Sequence, residues 1–275
     1  MSQPATPRPT VGVVIRFKNS AATLPAVVEA LSKQTRQPDL IIGVNNGSTD
    51  ASASILSSAG ARIIDWTKPY SHPQVLNFAL SHCHTDLVLV LSSHTVLNST
   101  DAVEKLAGAM TDPRTACASG KWDSDPFYSD TIDWDELKTK GLKFGSIYTN
   151  SMGILRRSLW EQCPFDESIS TMEDCVWALE QVHCGHLCRR VRIDFSYQRS
   201  TTDRTFVFAA HTFQLAARHD LRVTWLGPIA TIKSLISGTF DPQVLSSPAR
   251  KQERRNHVDR LKAWAYGRWM KNLSE

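Results

Sequence analysis

The stretch LIIGVNNGSTD, Leu40–Asp50, joins an apolar run to a cluster of polar, turn-forming residues. Leu40–Val44 has the length and composition of a buried strand, and the Asn-Gly pair that follows it favours a turn. In open α/β sheets, ligands bind in the crevice outside the carboxyl ends of the strands. The stretch therefore predicts a strand whose C-terminal end faces a binding site.

Three further apolar runs flank this strand, and segments of helical periodicity separate them. The predicted strands are Val11–Arg16, Ala61–Asp65 and Leu87–Leu91, and the helices between them cover residues 21–34, 51–59 and 73–83. The last run, LVLVL, is apolar on both faces, as a central parallel strand is. This alternation predicts an α/β fold with a doubly wound, mostly parallel sheet flanked by helices.

The alternation becomes less regular beyond residue 100. Periodicity predicts helices over residues 101–110 and 172–183, and strands over residues 115–119, 151–155 and 187–193. From Thr205 the chain turns helical, with residues 206–218 and 258–270 as the clearest segments. We therefore predict a C-terminal helical extension after the sheet.

The net charge of +4 over 275 residues is concentrated near the C-terminus. Residues 250–271 carry eight Lys or Arg and two acidic residues, so the remainder is slightly acidic. The body of the chain therefore lacks the basic footprint of a nucleic-acid-binding protein. The basic tail also contains Trp264 and Trp269, which fits either a helix on a membrane surface or a helix packed on its own domain.

The location expected for the chain is the cytoplasm, at the inner face of the membrane if the tail binds lipid. Its polar, Pro-containing start lacks the apolar region of a signal peptide, and no apolar run approaches the ~18 residues of a membrane span. Six scattered cysteines fit a reducing compartment.

The His and Cys residues of segment 183–188 lack paired C-x₂-C spacing, which disfavours a structural zinc site.

Nucleotide fingerprints rich in glycine are missing. No G-x-G-x-x-G follows the first strand and no G-x-x-x-x-G-K-[ST] occurs, which disfavours dehydrogenases, methyltransferases and P-loop enzymes.

Four other blocks carry a family resemblance. They are VVIRFKNSAATLPAVVEALSKQT (13–35), IIGVNNGSTD (41–50), LVLVLSSHTVL (87–97) and NSMGILRRSLWEQCPFDESISTMEDCVWALE (150–180). Through them the chain resembles the family 2 glycosyltransferases, which have the GT-A fold, over roughly residues 11–190. The resemblance implies an inverting enzyme of polysaccharide biosynthesis. Such an enzyme transfers a sugar from a UDP-, GDP- or dTDP-sugar to a hydroxyl of a glycan or lipid-linked acceptor.

The resemblance also organises the chain. It implies a GT-A domain over residues 11–204, and the sequence pattern predicts a flexible arm over residues 1–10 before it and the helical extension over residues 205–275 after it. Within the domain, residues 11–119 form the nucleotide-binding half and residues 120–204 the acceptor half.

The donor side departs from the usual D-D-G-S-T-D motif of the family. Asn45 and Asn46 replace the two leading acids, and an amide can still donate to and accept from a base or a ribose. The alternative is an Asn-Gly turn that only closes a loop. The residues expected to bind the nucleotide are Arg16, Phe17, Asn19, Asn45, Asn46 and Ser48.

A second departure concerns the metal-binding D-x-D motif, which is replaced by Ser92-Ser93-His94. Hydroxyls and an imidazole are poorer ligands for Mg²⁺ or Mn²⁺ than carboxylates. One possibility is a metal ion with His94 as a ligand. The other is a metal-free site in which protonated His94, Arg199 or Arg204 neutralises the diphosphate. His94 could also be only a strand-end residue.

The segment Glu173–Trp177 resembles the E-D-x-x-W block of the family. The resemblance makes Asp174 the general base, with Glu173 orienting the base or the acceptor. Trp177 either stacks on a sugar or belongs to the core, and Gly153 would let the donor sugar approach the backbone. The alternative for the acids is a helix N-terminus stabilised by negative charge.

A second hypothesis is a catalytically silent module that binds nucleotide sugars as a partner or scaffold. The two Asn substitutions and the lost D-x-D motif favour it, whereas the retained Glu173-Asp174 pair favours the enzyme.

Overall fold

The strands of the N-terminal half pair in parallel around β1, as their apolar composition predicts. In the computed structural model, β1 (Val11–Phe17) lies between β2 (Leu40–Asn45) and β4 (Leu87–Ser92), and β3 (Arg62–Asp65) adds to β2. The structure describes residues 8–121, 127–143, 147–169, 172–198, 212, 215–216 and 218–223. Four parallel strands therefore form the first half of the sheet.

The second half of the sheet mixes strand directions. The order across the eight-stranded sheet is β3-β2-β1-β4-β8-β6-β9-β7. Strand β8 (Met152–Arg156) is antiparallel to both of its neighbours, β4 and β6, whereas β6 and β9 are parallel. The remaining strands are β6 (Thr115–Lys121), β7 (Thr131–Ile132) and β9 (Leu187–Arg192). The result is a mostly parallel α/β sheet, as predicted.

A separate two-stranded ribbon follows the ends of β4 and β9. It pairs β5 (Thr95–Leu97) with β10 (Phe195–Tyr197) in antiparallel fashion. Three-residue strands carry no usable periodicity, and the sequence did not predict this ribbon.

Helices connect the strands along the chain. They are α1 (Leu24–Ser32), α2 (Ser52–Ser58), α3 (His72–Ser81), α4 (Ala102–Gly108), α5 (Trp134–Lys140), α6 (Arg157–Gln162) and α7 (Glu173–His183). Helix α1 begins with Pro25 in its first turn, where the missing N–H costs no hydrogen bond. It buries Leu24, Val27 and Leu31 along one face.

The core follows β1 and β4, two adjacent strands inside the sheet. Val11, Val13, Leu87 and Leu89 are fully buried, and they belong to one apolar cluster with residues of α1 and α4. Each fully buried Leu or Val stabilises the fold by about 1.5–3 kcal/mol relative to an exposed one. A rigid central sheet therefore supports the loops at its carboxyl edge.

The chain divides into two compact units, residues 1–134 with 147–200 and residues 135–146 with 201–275. The first unit contains all the strands named above. In the second, the Leu142 N–H donates to the carbonyl of Arg222 at 2.8 Å. The predicted boundary between residues 204 and 205 lies outside the described residues, as do Arg199, Arg204 and the basic tail. The boundary and the roles of these residues therefore stay predictions. Among the described residues, no helix is long and apolar enough to cross a membrane.

Candidate active site

The predicted binding edge is built by the carboxyl ends of β1, β2 and β4. Strand register places Arg16 beside Val44 on one side and beside Ser92 on the other. Phe17 is likewise paired with Asn45. The fold therefore brings the ends of three separate sequence blocks to one level at this edge.

Asn45 closes the turn after β2. Its Oδ1 accepts a hydrogen bond from the Ser48 N–H at 2.9 Å, and its Nδ2 donates to Asp65 Oδ1 at 2.9 Å. Gly47 has a φ of 68°, a conformation that glycine adopts readily. Asn45 therefore has the turn-closing role given as the alternative. The roles of Asn45 and Asn46 toward a nucleotide stay predictions.

Asn19 links the loop after β1 to the loop after β2. It has a φ of 47°, and its Oδ1 accepts from the Thr49 N–H at 2.8 Å. The Asn19 N–H in turn donates to Ser48 Oγ at 3.1 Å. The site thus includes two predicted nucleotide-binding residues, Asn19 and Ser48, that hold each other in place.

Phe17 does not line the site as predicted. Its side chain is 2% exposed and belongs to the apolar core. Side chains alternate between the faces of a strand, so Arg16 and Phe17 point in opposite directions. Only the backbone of Phe17 contributes at the edge, where its carbonyl accepts from the Asn46 N–H at 3.0 Å.

Arg16 contacts the first residue of α3 and the segment just before that helix. Its Nη1 lies 2.8 Å from His72 Nδ1 and donates to the Tyr70 hydroxyl at 3.3 Å. His72 and Tyr70 belong to no motif in the sequence, and they lie more than 50 residues from Arg16 in the chain. These contacts fix the position of the Arg16 guanidinium at the carboxyl edge.

The segment Ser92-Ser93-His94 offers few ligands for a hard cation. Ser93 is 8% exposed, and its Oγ lies 3.0 Å from Ser20 Oγ. Within the described ranges, no cluster of three ligating His, Cys, Asp or Glu side chains includes His94. One imidazole with two hydroxyls, one of them engaged, does not fit the carboxylate preference of Mg²⁺ or Mn²⁺.

Two carboxyl groups lie at the start of α7. Met172, just before the helix, has a φ of 65°, which turns the chain sharply into the first helical residues. Glu173 is 5% exposed, and its Oε1 accepts from Asn150 Nδ2 at 3.4 Å. Asp174 is partly buried and accepts two backbone hydrogen bonds, from the Asn150 N–H at 2.9 Å and from the Cys175 N–H at 2.8 Å. Asn150 therefore contacts both acids.

The surroundings of Asp174 change its acidity. Burial and the negative charge of Glu173 raise the pKa of Asp174 from 3.8 to about 7, although the two backbone hydrogen bonds and the charge of Arg16 lower it. A carboxyl group with a pKa near neutrality can accept a proton and release it again at physiological pH. The arrangement can therefore perform general base catalysis.

Gly153 and Trp177 have structural surroundings that differ from the sugar-binding roles predicted for them. A Cβ at Gly153 would lie 2.3 Å from the Thr149 carbonyl and 2.5 Å from the ring of Tyr148. The space beside Gly153 is therefore filled by Tyr148 and is not open to a donor sugar. Trp177 is 2% exposed, and its Nε1 donates to the Cys163 carbonyl at 2.6 Å, so it belongs to the core.

Two further residues at the site were not assigned a role from the sequence. Asn150 is only the first residue of the fourth block, and nothing local distinguishes it from other polar residues. Tyr197 lies in none of the four blocks. Both became apparent only through contacts with residues distant in the chain.

Comparison with known families gives one match that covers more than half of the chain. The model described as glycosyl transferase family 2 matches residues 12–163. Among curated proteins, the O-antigen chain rhamnosyltransferase RfbN of Salmonella typhimurium is 25% identical over 195 residues, which cover 64% of this chain and 62% of that protein. WbaN of Salmonella anatum, with the same description, is 25% identical over 174 residues, or 57% and 55% of the two chains. The matches thus span less than two thirds of either relative.

Solved structures share the fold at low sequence identity. The mannosyltransferase PcManGT from Pyrobaculum calidifontis, in complex with GDP-Man and Mn²⁺, superposes with a TM-score of 0.65 at 15% identity, covering 97% of this chain and 89% of that one. Glucosyl-3-phosphoglycerate synthase from Mycobacterium tuberculosis, in complex with Mn²⁺, UDP-glucose and phosphoglyceric acid, gives a TM-score of 0.57 at 16% identity, covering 80% and 86%. These likenesses confirm the predicted fold.

Proposed function

Since the chain belongs to glycosyl transferase family 2, we propose that it is an inverting glycosyltransferase with Asp174 as its general base. It transfers a sugar from a nucleotide diphosphate sugar to a hydroxyl of a glycan or lipid-linked acceptor. The observation that carries the proposal is the state of Asp174. Its carboxyl is fixed by two backbone hydrogen bonds, and its pKa of about 7 matches the working pH of a general base.

The proposed reaction is a single displacement at the anomeric carbon. The acceptor hydroxyl gives its proton to Asp174 while its oxygen forms the new bond to that carbon. The bond from the anomeric carbon to the diphosphate oxygen breaks, and the nucleoside diphosphate leaves with the electron pair. Attack from the side opposite the leaving group inverts the configuration. Glu173 raises the proton affinity of Asp174 through its charge and thereby strengthens the base.

The donor is proposed to lie along the carboxyl edge of β1, β2 and β4. Arg16, Asn19 and Ser48 present polar groups there, and Asn45 and Asn46 replace the usual acids. Both curated relatives are named rhamnosyltransferases, which supports a rhamnosyl donor as one candidate. GDP-Man and UDP-glucose occupy the structural neighbours and are the other candidates.

The leaving diphosphate needs positive charge near it. The described residues at Ser92-Ser93-His94 do not fit a divalent ion, although the neighbours are named in complex with Mn²⁺. We therefore propose that protein cations contribute this charge. Arg16 is one such group at the edge, and Arg199 and Arg204, outside the described residues, remain candidates.

The proposal is tested by thermal stabilisation with a panel of nucleotides and nucleotide sugars, each with Mn²⁺ and with EDTA. A specific ligand of the native state raises the melting temperature in proportion to RT ln(1 + [L]/Kd). We expect stabilisation by one nucleotide family that survives EDTA. Stabilisation only with Mn²⁺ would overturn the metal-free site, and no stabilisation by any nucleotide would overturn the donor site.

Transfer itself is tested with the stabilising nucleotide sugar and a panel of glycan and lipid-linked acceptors. A silent binding module would bind the donor without forming product or consuming donor. If the wild-type chain forms product, Asp174→Asn tests the base: it is expected to lower turnover by about 10²–10⁴-fold while leaving donor affinity within about twofold.

A further inference from the structure

Tyr197 is an aromatic residue that the ribbon of β5 and β10 presents beside His94. Tyr197 is paired with Thr95, the residue after His94, and the Gln198 N–H donates to the His94 carbonyl at 2.8 Å. The ring centroids of Tyr197 and His94 are 6.2 Å apart. With 36% of its surface exposed, Tyr197 contrasts with Phe195 of the same strand, which is 4% exposed.

The other end of Tyr197 reaches toward the general base. Its hydroxyl forms a hydrogen bond with the side chain of Ser151, the residue after Asn150. Burial of the hydroxyl raises the pKa of Tyr197, and the negative charge of Asp174 raises it further, whereas the Ser151 bond lowers it. Tyr197 is thus close to His94 on one side and within the field of Asp174 on the other.

The geometry of the displacement reaction indicates what could bind beside Tyr197. In an in-line displacement, the leaving diphosphate and the attacking hydroxyl lie on opposite sides of the anomeric carbon. The family resemblance puts the diphosphate near His94, and the proposed function puts the attacking hydroxyl at Asp174. The transferred sugar must therefore lie between these two residues, where Tyr197 is found.

We propose that Tyr197 is the platform on which the transferred sugar rests, and this inference depends on the proposed function. A tyrosine ring offers an apolar face to the C–H groups of a sugar, and its hydroxyl can bond a sugar hydroxyl. Trp177, the aromatic residue that sequence reasoning considered for this role, is 2% exposed and cannot provide that face. A sugar-specific contact at Tyr197 adds affinity for the nucleotide sugar and none for the nucleotide alone.

The test compares the binding of the nucleoside diphosphate with that of its nucleotide sugar, by calorimetric titration of the full chain. The pair is the one that stabilises the wild-type protein in the panel above. For Tyr197→Ala we expect the affinity for the nucleotide sugar to fall by about tenfold, while the affinity for the nucleoside diphosphate stays within about twofold. Tyr197→Phe keeps the ring and is expected to retain most of the sugar-dependent affinity.

A control on the same strand guards against a general effect on the ribbon. Ser196→Ala removes only a hydrogen bond to Asn98 Oδ1 at 3.2 Å, and we expect both affinities to remain unchanged. Equal losses for the nucleotide and the nucleotide sugar in Tyr197→Ala would show a structural role and overturn the platform. If Tyr197→Ala unfolds, Tyr197→Leu replaces it, read by the same difference between the two ligands.

Failure of the two proposals can be told apart. If the wild-type chain binds no nucleotide or nucleotide sugar, the proposed function is overturned and the platform with it. If the chain binds both ligands and the alanine and leucine variants keep the wild-type difference between them, only the platform is overturned.

Discussion

The backbone N–H of Asn150 donates to Oδ2 of Asp174 at 2.9 Å, and the side chain of the same asparagine reaches Glu173. This single residue, two positions before β8, thus holds both acids at the start of α7. It lies 23 residues from Glu173 and 24 residues from Asp174 in the chain. This relationship fixes the direction of the Asp174 carboxyl. The same backbone hydrogen bond lowers the pKa of Asp174, so this neutral residue affects the acidity of the base.

Asp174→Asn is expected to lower the turnover number by about 10²–10⁴-fold, the usual contribution of general base catalysis. The amide cannot take the acceptor proton, and its NH₂ group would face one of two backbone N–H donors. The turnover number and donor affinity are measured on the same preparation. Glu161→Gln, on an exposed carboxyl that pairs with Arg157, is the matched control and should retain activity. Full activity of Asp174→Asn would rule out its role as base.

The acid side of the pH–rate profile should report Asp174. Because a base must be ionised and the pKa is about 7, the turnover number should fall about tenfold per pH unit below that value. Stability should change in the opposite sense. The folded state binds this proton more tightly than the unfolded state, so the contribution is present at low pH and is lost as pH rises through about 7. A flat rate profile between pH 5.5 and 7 would contradict the assignment.

Asn150→Asp should move the acid limb of that profile to higher pH. The new carboxylate lies beside Glu173 and Asp174, and a like charge nearby raises the pKa of a carboxyl group. Turnover at pH 7 should therefore decrease and recover at pH 8.5, with donor affinity retained. The control Gln162→Glu makes the same amide-to-acid change at an exposed position of α6 and should leave the profile in place. A uniform loss of activity at all pH values would indicate only a structural role for Asn150.

Gly153→Ala should destabilise the protein by about 1–3 kcal/mol, as overpacking of a filled site does. The added Cβ would meet the Thr149 carbonyl at 2.3 Å, and backbone cannot move aside as a flexible side chain can. Gly108→Ala is the control, since nothing lies within 4 Å of its added Cβ. It should leave stability equal or raise it by up to about 1 kcal/mol. Denaturant titration measures both, and equal stabilities would show that Tyr148 can move away.

Asn45→Asp restores the acid common in the family, yet here it should destabilise the fold by about 0.5–1.5 kcal/mol. The new carboxylate would face Asp65, which now accepts a hydrogen bond from Asn45 at 2.9 Å. Adding Asp65→Asn exchanges the two groups and should recover most of the loss. A double-mutant cycle of unfolding free energies gives the coupling between the two positions. Additive effects would show that the two residues do not interact in solution.

The first half of the sheet could be predicted from the sequence because each strand is a continuous apolar run bounded by turn residues. Strands β1, β2, β3 and β4 begin within one residue of the predicted positions. The antiparallel direction of β8 between β4 and β6 could not be predicted, since periodicity shows which residues are buried and says nothing of the neighbouring strand. The ribbon of β5 and β10 was missed because each strand has only three residues.

The sequence alone determined the α/β class, the family resemblance, the binding edge after β2 and the Glu173-Asp174 pair, because these depend on local composition and on motifs. Only the tertiary structure decided which side chains face that edge. It placed Phe17 and Trp177 in the core, filled the space at Gly153 with Tyr148, and brought Asn150 to Asp174 and Tyr197 to His94. The physical reason is that the contacts of Asn150 and Tyr197 join residues far apart in the chain, and that burial at Phe17, Trp177 and Gly153 depends on how neighbouring elements pack. Strand register and packing determine such contacts, and neither can be predicted from a local sequence pattern.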